Sequence, residues 1–74
     1  MKNEKCNAAE IAIPNRAAGE YGPARATMRF PTEPPYEIDF YEDEINFTVE
    51  ELTGLTRDEA ARLYRAKDIA YLQS

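Results

Sequence analysis

Apolar and polar side chains alternate in two stretches of the chain, with the two-residue period of a half-buried β-strand. Both stretches place their apolar side chains on one face: Ala24, Ala26, Met28 and Phe30 in the first, and Tyr36, Ile38 and Phe40 in the second. Residues 31–35, which lie between them, contain three prolines and permit neither a helix nor a strand. We therefore predict two antiparallel strands, residues 24–30 and 36–41, joined as a hairpin by this proline loop.

One register of this hairpin would match both of its faces. It pairs apolar side chains on the inner face and sets polar or basic side chains against acids on the outer face: Phe30 with Tyr36, Met28 with Ile38, Ala26 with Phe40, Arg29 with Glu37, and Thr27 with Asp39. Cross-strand pairs of these kinds stabilise a sheet, and a slip by one residue would turn the apolar side chains to the solvent. The pattern predicts this register.

The chain before the hairpin carries weaker signals. Residues 1–9 are polar and are predicted to be frayed, with Cys6 exposed among them. Residues 10–14 alternate over a short distance and indicate a strand, which ends at its final proline. Residues 15–23 contain two glycines and a proline and are predicted to form a loop. A turn of helix around residues 16–20 is the alternative.

Two capping boxes begin two predicted helices, because a threonine and a glutamate three residues later satisfy backbone N–H groups at a helix start. Thr48 and Glu51 begin a short helix, which stops at Gly54. Thr56 and Glu59 begin a long helix that ends near residue 72.

The long helix has one apolar side. The residues predicted to face the sheet recur at helical spacing: Ala60, Leu63, Tyr64, Ala66, Ala70 and Tyr71. The side chains of Arg62, Arg65 and Asp68 are predicted to face water. Ile69 and Leu72 fall outside the main stripe and are available for a second contact.

These elements predict a small α+β fold, with an antiparallel sheet of two or three strands packed against a short helix and a longer C-terminal helix. Residues 1–74 are predicted to form a single domain, near the lower size limit for one core. A homodimer would help such a chain and remains open. No apolar run approaches membrane-spanning length and the start lacks a signal-peptide core, so a cytoplasmic protein is predicted.

Charge is distributed very unevenly along the chain, whose net charge is −5. Residues 31–56 contain no lysine or arginine but eight carboxylates: Glu33, Glu37, Asp39, Glu42, Asp43, Glu44, Glu50 and Glu51. The same segment is rich in large apolar side chains, which a disordered acidic tail would lack. It is therefore predicted to fold and to hold its carboxylates on one side of the body, with residues 42–44 as a solvated turn.

This acidic segment has two interpretations. It could be a solvated surface that keeps a small protein in solution. Alternatively it is a docking face for a basic protein surface, such as that of a nucleic-acid-binding protein or effector complex, which carries Lys and Arg to meet phosphates. The residues predicted to bind the partner are Glu37, Asp39, Tyr41, Glu42, Asp43, Glu44, Glu50 and Glu51. Tyr41 is the aromatic anchor among them.

Other functions fit the residues less well. Residues 48–72 have the outline of a helix-turn-helix and make DNA binding the second hypothesis, but Asp58 and Glu59 would repel phosphates where the second helix meets the bases. A calcium loop laid from Asp39 has Glu44 where glycine is needed. With no histidine, one cysteine and no obvious cleft, neither an enzyme nor a cofactor or metal site is predicted.

In kind, the chain resembles the small acidic proteins with which phages block host defence, the anti-CRISPR inhibitors among them. The resemblance lies in the single short domain, the basic-free acidic run from Glu33 to Glu51 and the lack of a catalytic constellation. It implies stoichiometric inhibition inside the host cytoplasm, by occupation of a nucleic-acid-binding or nuclease surface of an effector complex.

Overall fold

A computed structural model of the protein describes residues 4–73. It consists of strands β1 (Ala8–Ala12), β2 (Ala24–Arg29) and β3 (Tyr36–Phe40), a 3-10 turn (Arg16–Ala18), a short helix α1 (Val49–Leu52) and a long helix α2 (Arg57–Leu72). The strands form one antiparallel sheet in the order β1-β2-β3. The predicted α+β fold is confirmed. No helix within the described residues is long and apolar enough to cross a membrane.

The predicted register of the hairpin is wrong by two residues. The structure shifts every pair by that amount: Met28 lies opposite Tyr36, Thr27 opposite Glu37, Ala26 opposite Ile38, Arg25 opposite Asp39, and Ala24 opposite Phe40. A shift of two residues keeps every side chain on its face, so the predicted inner and outer faces are retained.

The wider hairpin loop is in contact with Arg57, the first residue of α2. Its guanidinium lies 5.3 Å from the centre of the Phe30 ring and 5.7 Å from that of Tyr36, and it donates a hydrogen bond to the Pro34 carbonyl. On the other side of the loop, the Glu4 carboxylate accepts from the backbone N–H groups of Thr32 and Glu33. Phe30 therefore leaves the strand ladder and is buried under the loop.

The chain before β2 is more ordered than predicted. Cys6 is only 3% exposed, not exposed as expected, because its backbone N–H donates to the Leu55 carbonyl at 2.7 Å and its carbonyl accepts from Gly54 at 2.8 Å. Strand β1 begins at Ala8, two residues earlier than predicted, and ends before Pro14. Within the loop that follows, the 3-10 turn occupies the place of the alternative helical turn. The predicted fraying of residues 1–3 lies outside the described residues.

The core lies on the inner face of the sheet. Its buried side chains come from β2, β3, both helices and the connecting segments: Cys6, Ala24, Ala26, Met28, Phe30, Ile38, Phe40, Phe47, Leu52 and Ala60. Ala9 and Ile11 of β1 pack against them, partly buried. The Phe47 ring meets Phe40 edge-on at 5.1 Å and stacks on Tyr64 at 6.0 Å between centroids, which joins the sheet to α2. Small alanines on β2 let these rings approach the sheet closely.

Both predicted capping boxes are present. The hydroxyls of Thr48 and Thr56 each accept from the backbone N–H of the glutamate three residues later, at 3.1 Å. The side chains of Glu51 and Glu59 accept from the threonine N–H groups in return, at 3.0 and 2.9 Å. Gly54 adopts a positive φ of 94° after α1, as its position predicts.

The predicted core face of α2 is correct only for its first half. Ala60 is buried and Leu63 and Tyr64 pack against the core, but Ala66, Ala70 and Tyr71 are exposed. The core ends before the second half of the helix, so its apolar side chains have no layer to cover them. Conversely, Asp68 is half-buried, whereas the sequence predicts that it faces water.

Candidate functional site

The eight residues of the predicted docking face lie on three elements instead of one row. Glu37 and Asp39 lie on the outer face of β3, Tyr41 follows it, residues 42–44 form the next turn, and Glu50 and Glu51 lie on α1. The α1 side chain Leu52 is buried in the core on the inner face. Glu37 and Asp39 therefore lie on the opposite side of the sheet from α1.

The chain's own arginines neutralise the outer face of the sheet. Arg25 on β2 donates to the Asp39 carboxylate at 2.9 Å and lies 4.0 Å from that of Glu37. The bond to Asp39 raises the pKa of Arg25 above its usual value. Between β1 and β2, Arg29 donates to the Glu10 carboxylate at 2.7 Å. Consequently this face offers a partner little unpaired negative charge.

The turn at residues 42–44 is held by a bidentate ion pair. The two terminal nitrogens of Arg16, in the 3-10 turn, donate to the two Glu42 carboxylate oxygens at 2.7 and 3.1 Å. The same guanidinium donates to the Gly22 carbonyl at 3.2 Å. The hydrogen bond from Arg16 lowers the pKa of Glu42 below its usual range. Glu42 thus fastens the turn to the loop before β2.

Two further acids of the segment have cations within the molecule. Lys67 on α2 lies 3.2 Å from the Glu51 carboxylate, with its ammonium 5.1 Å from the centre of the Phe47 ring. Arg57 lies 3.8 Å from Glu33. Tertiary folding therefore supplies internal partners to acids that have no basic neighbour along the chain.

Three predicted site acids form no ion pair with any described residue: Asp43, Glu44 and Glu50. The pKa of Arg16 is raised mainly by its hydrogen bond to Glu42, and the charge of Asp43 makes a smaller contribution in the same direction. The turn carries three carboxylates, and the Arg16 guanidinium forms an ion pair with that of Glu42 alone among them. The unneutralised charge of the segment is therefore concentrated at Asp43 and Glu44, with Glu50 apart on α1.

Two exposed tyrosines flank this turn. An open groove is lined by Arg16, Tyr21, Gly22, Tyr41, Glu42 and Asp43. Tyr21 is 81% exposed and Tyr41 50% exposed, and neither ring belongs to the core. We call these six residues the tyrosine groove.

Tyr21 is the residue that the predicted site omits. Its sequence signal is a large aromatic inside a glycine- and proline-containing loop, where a core position is improbable. The pairing of Ala24 with Phe40 brings the end of that loop beside residues 41–43, and the Arg16–Glu42 pair fastens it there. The two parts of the groove are about twenty residues apart in the sequence.

The α1–α2 pair carries four basic side chains, all on α2, of which Arg62 and Arg65 are exposed. Of the basic side chains on α2, Arg57 holds the proline loop and Lys67 pairs with Glu51. Asp58 and Glu59 are exposed in the first turn. Within residues 4–73, no three His, Cys, Asp or Glu side chains are grouped as ligands of a metal ion.

Comparison of the chain with protein-family models, with curated proteins and with solved structures finds no match.

Proposed function

We propose that this protein binds a partner protein through the tyrosine groove and the adjoining acidic turn, and that the partner presents a basic surface. The observation that supports this most directly is the pair of exposed rings, Tyr21 and Tyr41, beside carboxylates that the chain's own arginine does not fully neutralise. Tyrosine and arginine are enriched among residues that dominate binding energy at protein interfaces.

The chemistry of the groove favours an arginine or lysine of the partner. A guanidinium can lie over a tyrosine face, with a gain of about 0.5–1 kcal/mol at an exposed site. Asp43 and Glu44 could accept its hydrogen bonds. Because exposed ion pairs contribute only about 0.2–1 kcal/mol each, the acids would steer association and the two rings would supply most of the affinity.

Inhibition is the specific form of binding that we propose. A protein surface rich in arginine commonly serves to hold nucleic-acid phosphates, so a protein that occupies it would exclude the nucleic acid. The anti-CRISPR-like role suggested by the sequence, in the cytoplasm, is one case of this activity. Glu37 and Asp39 take no part in the proposal, since Arg25 already binds them.

The test compares several variants in one binding assay, and its control carries the same charge change as the lysine double variant at the site. The parent chain is immobilised, proteins of the encoding organism's lysate are captured at low salt, and those bound are identified by mass spectrometry. We expect an arginine-rich protein that is lost from the double variant Asp43→Lys/Glu44→Lys and from Tyr21→Ser/Tyr41→Ser. The control Glu37→Lys/Asp58→Lys carries the same charge change elsewhere and should still capture it. Equal capture by all variants would contradict the proposed site.

A duplex-DNA column addresses the helix-turn-helix hypothesis. Retention of the parent at low salt, lost on Arg62→Ala/Arg65→Ala, would replace the proposal with direct DNA binding. We expect the parent to flow through, because Asp58 and Glu59 lie at the start of α2.

A further inference from the structure

One flank of α2, beside its core-facing side, is a second surface that the proposed function does not use, with Asp68 half-buried and its other residues exposed. Ala61, Arg65, Asp68 and Leu72 follow one another at intervals of four, three and four residues, the spacing that places side chains along one seam of a helix. Leu72 is 72% exposed, and Ile69 beside this seam is 46% exposed. We call the four residues the α2 seam.

The charges of the α2 seam have no partner within the described part of the molecule. Arg65 and Asp68 form neither an ion pair nor a hydrogen bond with any residue of the 4–73 range. The outer face of the sheet, which also carries both signs of charge, pairs them internally.

The α2 seam is complementary to itself when read in the opposite direction. If two copies of α2 lie antiparallel with the two-fold axis between Ala66 and Lys67, Arg65 of each faces Asp68 of the other. In the same register, the small Ala61 faces the large Leu72. A two-fold axis at residue 65 or at residue 68 would instead set like charges against each other. A closed symmetric dimer requires such self-complementarity.

We propose that the protein forms a homodimer by antiparallel pairing of the α2 seams. Two Arg65–Asp68 ion pairs fix the register, and Leu72 with Ile69 supplies apolar burial at both ends. The contact extends over about three helical turns, which is smaller than the roughly 1,200–2,000 Å² of a standard stable interface. The dimer is accordingly weak and depends on concentration.

The test is sedimentation equilibrium of the full chain at about 0.15 M salt, where screening limits repulsion between the acidic protomers. Between about 10 µM and 1 mM we expect the mass of the parent to rise from 8.4 kDa toward twice that value. Arg65→Asp and Asp68→Arg, each alone, should weaken dimerisation at least about tenfold, since each sets two pairs of like charges together.

Two combinations make this test specific for the antiparallel register. The double variant Arg65→Asp/Asp68→Arg has the parent's net charge and should dimerise again. An equimolar mixture of the two single variants should form a heterodimer, because one protomer then carries only acids and the other only arginines at these positions. Circular dichroism of each variant checks that α2 remains folded. A parent that stays at 8.4 kDa, or a double variant that does not recover, would overturn the proposal.

Discussion

Arg16 and Glu42 are 26 residues apart in the sequence, and their side chains form a two-pronged ion pair at 2.7 and 3.1 Å. The pair joins the loop before β2 to the turn after β3, which the pairing of Ala24 with Phe40 brings side by side, and Tyr21 and Tyr41 line the same groove. The ion pair also removes one of the eight predicted site residues from the set available to a partner. This contact thus forms part of the tyrosine groove and also reduces its charge.

This contact predicts a dependence of stability on pH. The folded-state pKa of Glu42 is lower than its unfolded value of about 4.5, so its stabilising contribution is complete above that pH and is lost as the pH falls through the lower folded value. Urea unfolding of the parent and of Glu42→Gln, between about pH 7 and pH 3, should show a difference that shrinks with acidification. Glu59, whose pKa is lowered by its bond to the Thr56 backbone, gives both proteins a pH dependence of the same sign, which cancels in the difference between them.

The reverse outcome has a clear meaning. If Glu42→Gln is as stable as the parent at neutral pH, Arg16 does not hold the turn in solution. In that case we also expect the parent and the groove variants to capture similar amounts of the partner in the binding assay.

Arg57 should be needed for the shape of the proline loop. Its planar guanidinium faces Phe30 and Tyr36 and donates to the Pro34 carbonyl, which a lysine ammonium cannot do at the same time. We expect Arg57→Lys to lower the free energy of unfolding by about 1–2 kcal/mol. Urea denaturation followed by tyrosine fluorescence would measure it. The exposed Arg62→Lys is the matched control and should change stability by less than about 0.5 kcal/mol.

Cys6 should react slowly with thiol reagents. Its sulfur is buried and its S–H donates to the Ala8 carbonyl at 3.0 Å, so a reagent reaches it only when the segment opens. We expect native labelling to be at least about tenfold slower than labelling in concentrated urea, measured by absorbance of the released chromophore. Equal rates would indicate that residues 4–9 are frayed, as the sequence predicts.

The two capping threonines should differ in importance. Thr56 begins a helix of sixteen residues, whereas Thr48 begins one of four. Loss of a cap costs about 0.5–2 kcal/mol, and we expect Thr56→Ala to fall near the upper end and Thr48→Ala near the lower. Thermal unfolding by circular dichroism at 222 nm, where helix dominates the signal, compares them. Thr56→Ser keeps the accepting oxygen and should retain most of the stability.

Much of the fold follows from local patterns. The alternation at Met28, Phe30 and Ile38 identifies the inner face correctly, and the threonine–glutamate boxes begin both helices where predicted. The register is not determined by the same alternation, because a shift of two residues leaves every face unchanged. In the observed register the loop contacts Arg57, which lies over twenty residues away in the sequence.

The candidate site, like the fold, is predicted by the sequence only in part. The sequence identifies Tyr41, Asp43 and Glu44 as exposed, and the structure agrees. It does not reveal Tyr21 as their neighbour, nor that Arg16, Arg25 and Lys67 occupy four of the predicted acids.

The sequence by itself determines where β2, β3 and the two helices lie, where the helices begin and which side of the sheet is apolar. Each of these depends on a backbone repeat or on hydrogen bonds between residues no more than four apart. Only the tertiary structure decides which strand residues face each other, how far along α2 the core extends and which carboxylates remain unpaired. These features depend on how the loops close, and loop closure brings together side chains whose separation in the sequence carries no periodic signal.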